Sequence, residues 1–297
     1  MRQPANDFIR RFTLAFLGAA LIPGTAALTN ANEPSVEVTQ DIVFGKGGST
    51  DLHLDLALPA DREQPSPCIV VIHGGAWRQG DKRAHLGEIR RFADQGYVSA
   101  TVQYRFCPQD RFPAQVEDVK CAVRYLRAHA DQYGIDPDRI GAIGFSAGAH
   151  LSMMLGTMDA KDGLEGDGGW PDQSSKVQAV VSYFGPTALA ADDIPLRSIP
   201  LVTDFIGGSK DEMLGQYKAA SPLTYVSRGD APMLLFQGTE DVLVPYSQAV
   251  KMVTAMTDAD VPGRVEFLID AGHGWGGDEL QETIDATLRF FKKHLQP

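Results

Sequence analysis

The sequence predicts an α/β fold, a mostly parallel sheet of eight strands with helices on both faces, and three observations predict it. From about residue 39 onward, short strand-like runs alternate with stretches of helical periodicity, the pattern of helices laid on both sides of a mostly parallel sheet. A chain of 297 residues, 43% apolar and 22% charged, can bury one sizeable core, and no repeat or low-complexity tract argues for anything else. The two clearest helices carry apolar stripes of the kind that cover a sheet.

Taken in order, runs at 41–44 and 51–58 are joined by Gly45-Lys46-Gly47-Gly48 and read as a hairpin at the sheet edge. Further strands follow at 68–72, 97–103, 140–145, 177–183, 233–237 and 264–269. Helices are expected at 86–95, 114–133, 147–157, 247–258 and 278–294. In the second of these, Val116, Val119, Val123 and Leu126 recur at helical spacing, Pro113 stands just before it and Gly134 stops it. Pro137 ends the connection. The last helix sets Leu280, Ile284, Leu288 and Phe291 on one stripe. Two stretches, 159–176 and 185–230, are rich in Gly, Asp and Pro and break the rhythm; both are expected as short excursions above the functional site rather than a separate domain. The Asp/Gly run lacks the ordered ligand positions and terminal Glu of a calcium loop, so no metal is expected there.

Arg2, Arg10 and Arg11 precede the apolar run 12–22, and small residues follow around Thr29-Asn30-Ala31. This is the layout of a signal peptide at 1–31, followed by a linker at 32–38 and one domain over 39–297. The run is about half of the roughly 20 residues a bilayer span needs, which disfavours an uncleaved anchor. A secreted or periplasmic location follows, with Sec and Tat export both open. Loss of residues 1–31 removes three Arg and one Asp and takes the formal charge from −11 to −13. So acidic a surface argues against nucleic acid and favours neutral partners. Three cysteines are too few for a disulfide scaffold; Cys68 reads as a buried thiol, while a Cys107–Cys121 bridge and two unpaired thiols stay equally open.

The chemistry is carried by Gly144-Phe145-Ser146-Ala147-Gly148, where an apolar strand meets a helix rich in Ala, Leu and Met. A serine in so sharp a turn needs small neighbours two positions away on each side, and its hydroxyl then stands beside a helix N-terminus that favours developing negative charge. Such a hydroxyl needs a general base. His273, flanked by Gly272 and Gly274 directly after the last strand, is the candidate; His294 reads as a solvated helix end, and His53, His85, His129 and His150 as structural or exposed. The acid that would orient His273 lies after the penultimate strand, in Gln237-Gly238-Thr239-Glu240-Asp241. Asp241 is preferred over Glu240, and Asp270 sits at a strand end. His73-Gly74-Gly75-Ala76-Trp77 follows the third strand, and the N–H groups of Gly75, Ala76 and Ala147 are the candidate donors to an oxyanion. Trp77, Trp170 and Trp275 all fall in segments expected to border the site, where aromatic faces would suit a sugar ring or phenolic acyl group.

With these residues in place the chain resembles the α/β-hydrolase superfamily over nearly all of residues 39–295. The segments His73-Gly74-Gly75-Ala76-Trp77, Phe112-Pro113-Ala114-Gln115-Val116-Glu117-Asp118, Asp136-Pro137-Asp138-Arg139-Ile140 and Gly144 to His150 are similar to the bacterial feruloyl and acetylxylan esterase-like (BD-FAE) branch. The chain also resembles hormone-sensitive-lipase-like carboxylesterases, from which it departs at Ala76, where those carry a third glycine. The resemblance implies a cofactor-free ester hydrolase acting through an acyl-enzyme on acylated polysaccharides or small esters. A serine exopeptidase or an arylformamidase-like amide hydrolase would use the same residues, and a non-catalytic binding protein would be expected to have lost one of them. Oligomeric state is not legible.

Overall fold

The computed structural model describes residues 36–61 and 64–296, so the expected signal peptide and most of the linker lie outside the described residues. The chain divides between Glu33 and Pro34, and every described residue belongs to the second unit. An edge hairpin opens it: β1 (Glu37–Gly47) pairs antiparallel with β2 (Thr50–Leu58). The strand thus begins inside the segment expected to be linker. Then come β3 (Ser66–Ile72), β4 (Val98–Val102), β5 (Ile135–Phe145), β6 (Ala179–Tyr183), β7 (Met233–Gly238) and β8 (Gly263–Leu268). The sheet order is β1-β2-β4-β3-β5-β6-β7-β8, antiparallel as far as β4 and parallel from β4 to β8.

Strand side chains alternate between faces. In β3, Cys68, Val70 and Ile72 enter one core while Ile69 and Val71 enter the other. The first core is closed by α2 (Ala114–Ala128), α4 (Ala147–Thr157) and α7 (Ser247–Asp258). The second is closed by α1 (Leu86–Asp94) and α8 (Gly277–Leu295), through Ile89, Phe92, Phe291 and Leu295. Covering both faces buries the strand ends from which the site is built.

Three elements differ from expectation. The helix expected over 114–133 breaks at His129, where the Tyr125 carbonyl meets both the His129 N–H and its ring Nδ1, and resumes as the single turn α3 (Ala130–Tyr133) before Gly134. Strand β5 runs back through Pro137, tolerated because the register with β3 shifts there, from Ser66↔Ile135 to Cys68↔Ile140. The stretch 185–230 holds two helices, α5 (Ile199–Ile206) and α6 (Lys210–Ala219). Residues 159–176 fold against β1 and α2: the Gly168 carbonyl accepts from the Lys46 N–H, and Glu165 pairs with the buried Lys120 and Arg124. No cysteine is bridged. Cys68, Cys107 and Cys121 are free and buried, and burial pushes their thiols up to about 12, 11 and 11, far from thiolate character.

Candidate active site

The parallel strands deliver their C-terminal ends to one edge of the sheet, and the expected site residues gather there. Between β5 and α4 the chain turns at Ser146, whose φ of 54° and ψ of −117° are strained for a side chain of any size. The turn closes because its neighbours lack a Cβ: one on Gly144 would sit 2.2 Å from the Gly148 carbonyl, and one on Gly148 would sit 2.1 Å from the Ile72 carbonyl oxygen. Backbone cannot yield to such overlaps cheaply. Gly148→Ala is therefore expected to destabilise the fold by about 3 kcal/mol and to lower the activity of what remains folded, as read by urea unfolding and by ester turnover.

The Ser146 Oγ lies 2.9 Å from His273 Nε2, and His273 Nδ1 lies 2.7 Å from Asp241 Oδ2. Phe184, itself at a φ of 45°, packs its ring 4.7 Å from the imidazole and limits its swing. Asp241 is buried, and its other oxygen accepts the N–H groups of Leu243 (2.8 Å) and Val244 (2.9 Å). Burial alone would raise this carboxyl. The hydrogen bond with His273 and the backbone donors outweigh it and hold Asp241 below the usual 3.8, so it is an anion facing the imidazole. Glu240, by contrast, is exposed and uses its backbone N–H on the Ala271 carbonyl, and Asp270 is exposed at the end of β8. Of the three acids considered, only Asp241 meets His273.

One participant escaped the sequence reading. Gln237, at the end of β7, is buried; its Nε2 donates to Asp241 Oδ2 at 3.1 Å and to the Val244 carbonyl at 2.8 Å, fixing the carboxylate from behind. A polar residue closing an otherwise apolar strand, immediately before Gly238, was the available signal.

The loop after β3 runs through three consecutive residues at positive φ, Gly75 (117°), Ala76 (54°) and Trp77 (58°). At Gly75 no other residue fits, since a Cβ would lie 1.9 Å from the Gln79 carbonyl oxygen. The Gly75 carbonyl accepts from Arg78 and Gln79, while buried Tyr104 reaches the carbonyls of His73 (3.0 Å) and Gly74 (3.3 Å) and stacks on the His73 ring. Gly75, Ala76, Ser146, Ala147 and His273 together line one cavity of about 450 Å³. Ala147 is the first residue of α4, so its N–H has no acceptor within the helix. A tetrahedral oxyanion formed at Ser146 would lie beside these backbone donors.

The tryptophans require correction. Trp77 lines the cavity, but it is buried, stacks on Phe205 at 4.3 Å and donates its indole N–H to His150 Nδ1; it is a wall rather than a free stacking face. Trp275 is absent from the lining. Its indole donates to Thr283 Oγ1 and its ring packs on Tyr183 and Phe184, which places it behind the residue that holds His273. Trp170 is held by the Phe44 carbonyl and packs edge-on against Tyr125 and His129, between β1 and α2. It does not border the cavity, and neither does the rest of 159–176. The cover comes from the other insertion, through Pro186, Leu189, Ile194, Ser198, Leu201 and Val202. Among the described residues no cluster of His, Cys, Asp or Glu could hold a metal ion.

A mostly parallel eight-stranded sheet with a serine on a strand-to-helix turn, a histidine after the last strand and an acid after the one before it defines the α/β-hydrolase class. Within that class the chain belongs to the BD-FAE family, whose profile matches residues 54–256. Esterase LipQ of Mycobacterium tuberculosis is 31% identical over 226 residues, covering 74% of this chain and 53% of that protein. The chain spans about half the length of the curated relatives it matches. Among solved structures, a truncated carbohydrate esterase from gut microbiota superposes with a TM-score of 0.75 at 25% identity, covering 88% of this chain and 99% of that one. The propionate-bound thermophilic esterase Est2 of Thermogutta terrifontis superposes with a TM-score of 0.73 at 27% identity, covering 88% and 94%.

Proposed function

We propose that this chain is a serine-dependent carboxylic ester hydrolase that works through an acyl-enzyme, with Ser146 as nucleophile, His273 as general base and acid, and Asp241 as the residue that orients His273. The supporting observation is the unbroken hydrogen-bonded line from Asp241 Oδ2 through His273 to Ser146 Oγ, at 2.7 and 2.9 Å. Ser146 Oγ attacks the ester carbonyl carbon as His273 Nε2 takes its proton. The oxyanion is held by the N–H groups of Gly75, Ala76 and Ala147. Collapse releases the alcohol, which takes that proton from His273, and leaves the acyl group on Ser146. Water, deprotonated by His273, then attacks the acyl-enzyme, and Ser146 recovers its proton as the acid departs.

For the substrate, the carbohydrate esterase among the structural neighbours favours an acylated polysaccharide. Between acetyl and feruloyl esters, the roomy cavity favours the larger feruloyl group. Comparison of kcat/KM on acetylated xylan, methyl ferulate and p-nitrophenyl acetate tests this; preference for acetylated xylan over both would reverse it. The proposal includes export, with cleavage near residue 31 and a secreted or periplasmic mature protein, which the mass of the mature N-terminal peptide would test. No helix among the described residues is long and apolar enough to cross a membrane.

A further inference from the structure

The cavity beside Ser146 continues past the residues that carry the chemistry. At about 450 Å³, and with roughly 30 Å³ for a water-sized group, it has room for about fifteen non-hydrogen atoms. An acetyl group would leave most of it unfilled. Its inner wall is aliphatic, formed by Leu189, Ile194, Leu201, Val202, Leu243 and Val244, and no Asp, Glu, Lys or Arg lines it. A charged chain end placed there would be desolvated without a partner, so the group it suits is apolar and neutral.

A second cavity, of about 120 Å³, lies between α5 and α6, where Thr203, Ser209 and Tyr217 line it and the Lys210–Asp192 ion pair stands at its rim. The two cavities have three lining residues in common, Leu189, Ile194 and Val202. These three residues border both cavities. The second cavity has room for about four more methylene-sized groups at the same roughly 30 Å³ each.

The position of α5 indicates which part of an ester would meet these residues. Phe205, three residues beyond Val202 and so nearly one turn along α5, stacks on Trp77, which directly follows the candidate oxyanion donors Gly75 and Ala76. The Val202–Phe205 end of α5 therefore packs on the oxyanion-loop side of Ser146, while its N-cap Ser198 donates to the Leu243 carbonyl in the loop that carries Asp241. His273, which would hand its proton to the departing alcohol, comes from the β8 side of the sheet, two strands beyond β6. The alcohol leaves toward His273, and the acyl chain extends toward the Val202–Phe205 end of α5.

We propose that Leu189, Ile194 and Val202 are specificity-determining residues that set the acyl-chain length, that the preferred substrates are esters of neutral apolar acyl groups well larger than acetyl, and that the cavity between α5 and α6 is an extension they close off. This rests on the reading of the chain as a serine ester hydrolase. Each methylene buried in the first cavity is worth up to about fourfold in kcat/KM, from about 0.8 kcal/mol per CH₂.

The test is a series of p-nitrophenyl esters from acetate to dodecanoate, on wild type, Ile194→Ala, Ile194→Ala/Val202→Ala and Val202→Phe, with thermal melting to check folding. In wild type kcat/KM is expected to rise from acetate to a maximum near hexanoate or octanoate and to fall beyond. The double variant is expected to move the maximum outward by about two to four carbons, one for each methylene-sized space in the second cavity, and to raise the decanoate-to-butanoate ratio by about tenfold or more. Val202→Phe is expected to move it toward acetate. Should the double variant not fold, Ile194→Ala and Val202→Phe still read the profile in both directions. A profile unmoved in folded variants would overturn the proposal, as would a shift that follows the alcohol chain when the acyl group is fixed as butanoyl. If wild type hydrolyses no ester of the series, it is the esterase reading that fails.

Discussion

Ser146→Ala is expected to lower kcat on p-nitrophenyl esters by about 10⁶, the loss seen when the nucleophile of a serine hydrolase is removed, leaving a residual rate of about 10³–10⁴ over water from the oxyanion donors and binding. The expectation follows from the geometry around the residue rather than from the motif alone. No other hydroxyl or thiol stands within hydrogen-bonding distance of His273 Nε2 among the described residues, and the three thiols are buried and held protonated. The variant is also expected to fold normally. Its backbone strain at φ 54° remains, but removing the hydroxyl costs only the bond to His273. Activity retained at more than a few per cent, measured on protein purified free of host esterases, would remove Ser146 from the mechanism.

Asp241→Asn is expected to lower kcat by about 10⁴ while Glu240→Gln changes it little, since Glu240 is exposed and meets no group of the site through its side chain. The asymmetry has a definite cause. Asp241 Oδ2 can only accept, so the proton of the neutral imidazole sits on Nδ1 and leaves Nε2 free to take the proton of Ser146. An asparagine amide turned toward Nδ1 donates instead, puts the imidazole proton on Nε2, and leaves Ser146 without a base. The same substitution has a pH signature in stability. Asp241 is held below 3.8 in the folded chain, so its interactions add stability above the ordinary carboxylate pKa, and that stability is lost as pH falls through the folded value. The gap in urea-unfolding free energy between wild type and Asp241→Asn is thus expected to be widest near neutral pH and to narrow below about pH 4.

Much of this was legible before any coordinates, and the reasons differ by element. The strands were legible because both of their faces are buried: apolar runs such as 68–72 and 233–237 leave few alternatives, and all eight form within a few residues of expectation, apart from the longer extensions of β1 and β5. Ser146, Asp241 and His273 were legible because each follows a strand, so the topology alone brings them to one edge of the sheet. The helices at 199–206 and 210–219 were hidden by the Gly, Pro and Asp around them, although Ser209 and Glu212 form a capping box that the sequence displayed. The tryptophans misled for a different reason. Nearness in sequence to His273 says nothing about which way the Trp275 ring packs, the insertion that carries Trp170 folds against β1 and α2, and each indole N–H is spent on a partner away from the cavity. Gln237 reaches only Asp241 and Val244, four and seven residues on, and Leu189, Ile194 and Val202 meet within one insertion; both arrangements depend on how an irregular loop closes, which helix or strand periodicity does not carry.

A single chemical experiment bears on the whole arrangement. The intact protein is treated with a fluorophosphonate, digested, and the modified peptide mapped by mass spectrometry, with Asp241→Asn and His273→Ala treated in parallel. One phosphonyl group per chain, on Ser146, formed quickly in wild type and far more slowly in both variants, is the expected result. A label on any other residue, or no label on a preparation that still turns over ester, would contradict the assignment of Ser146 as the nucleophile.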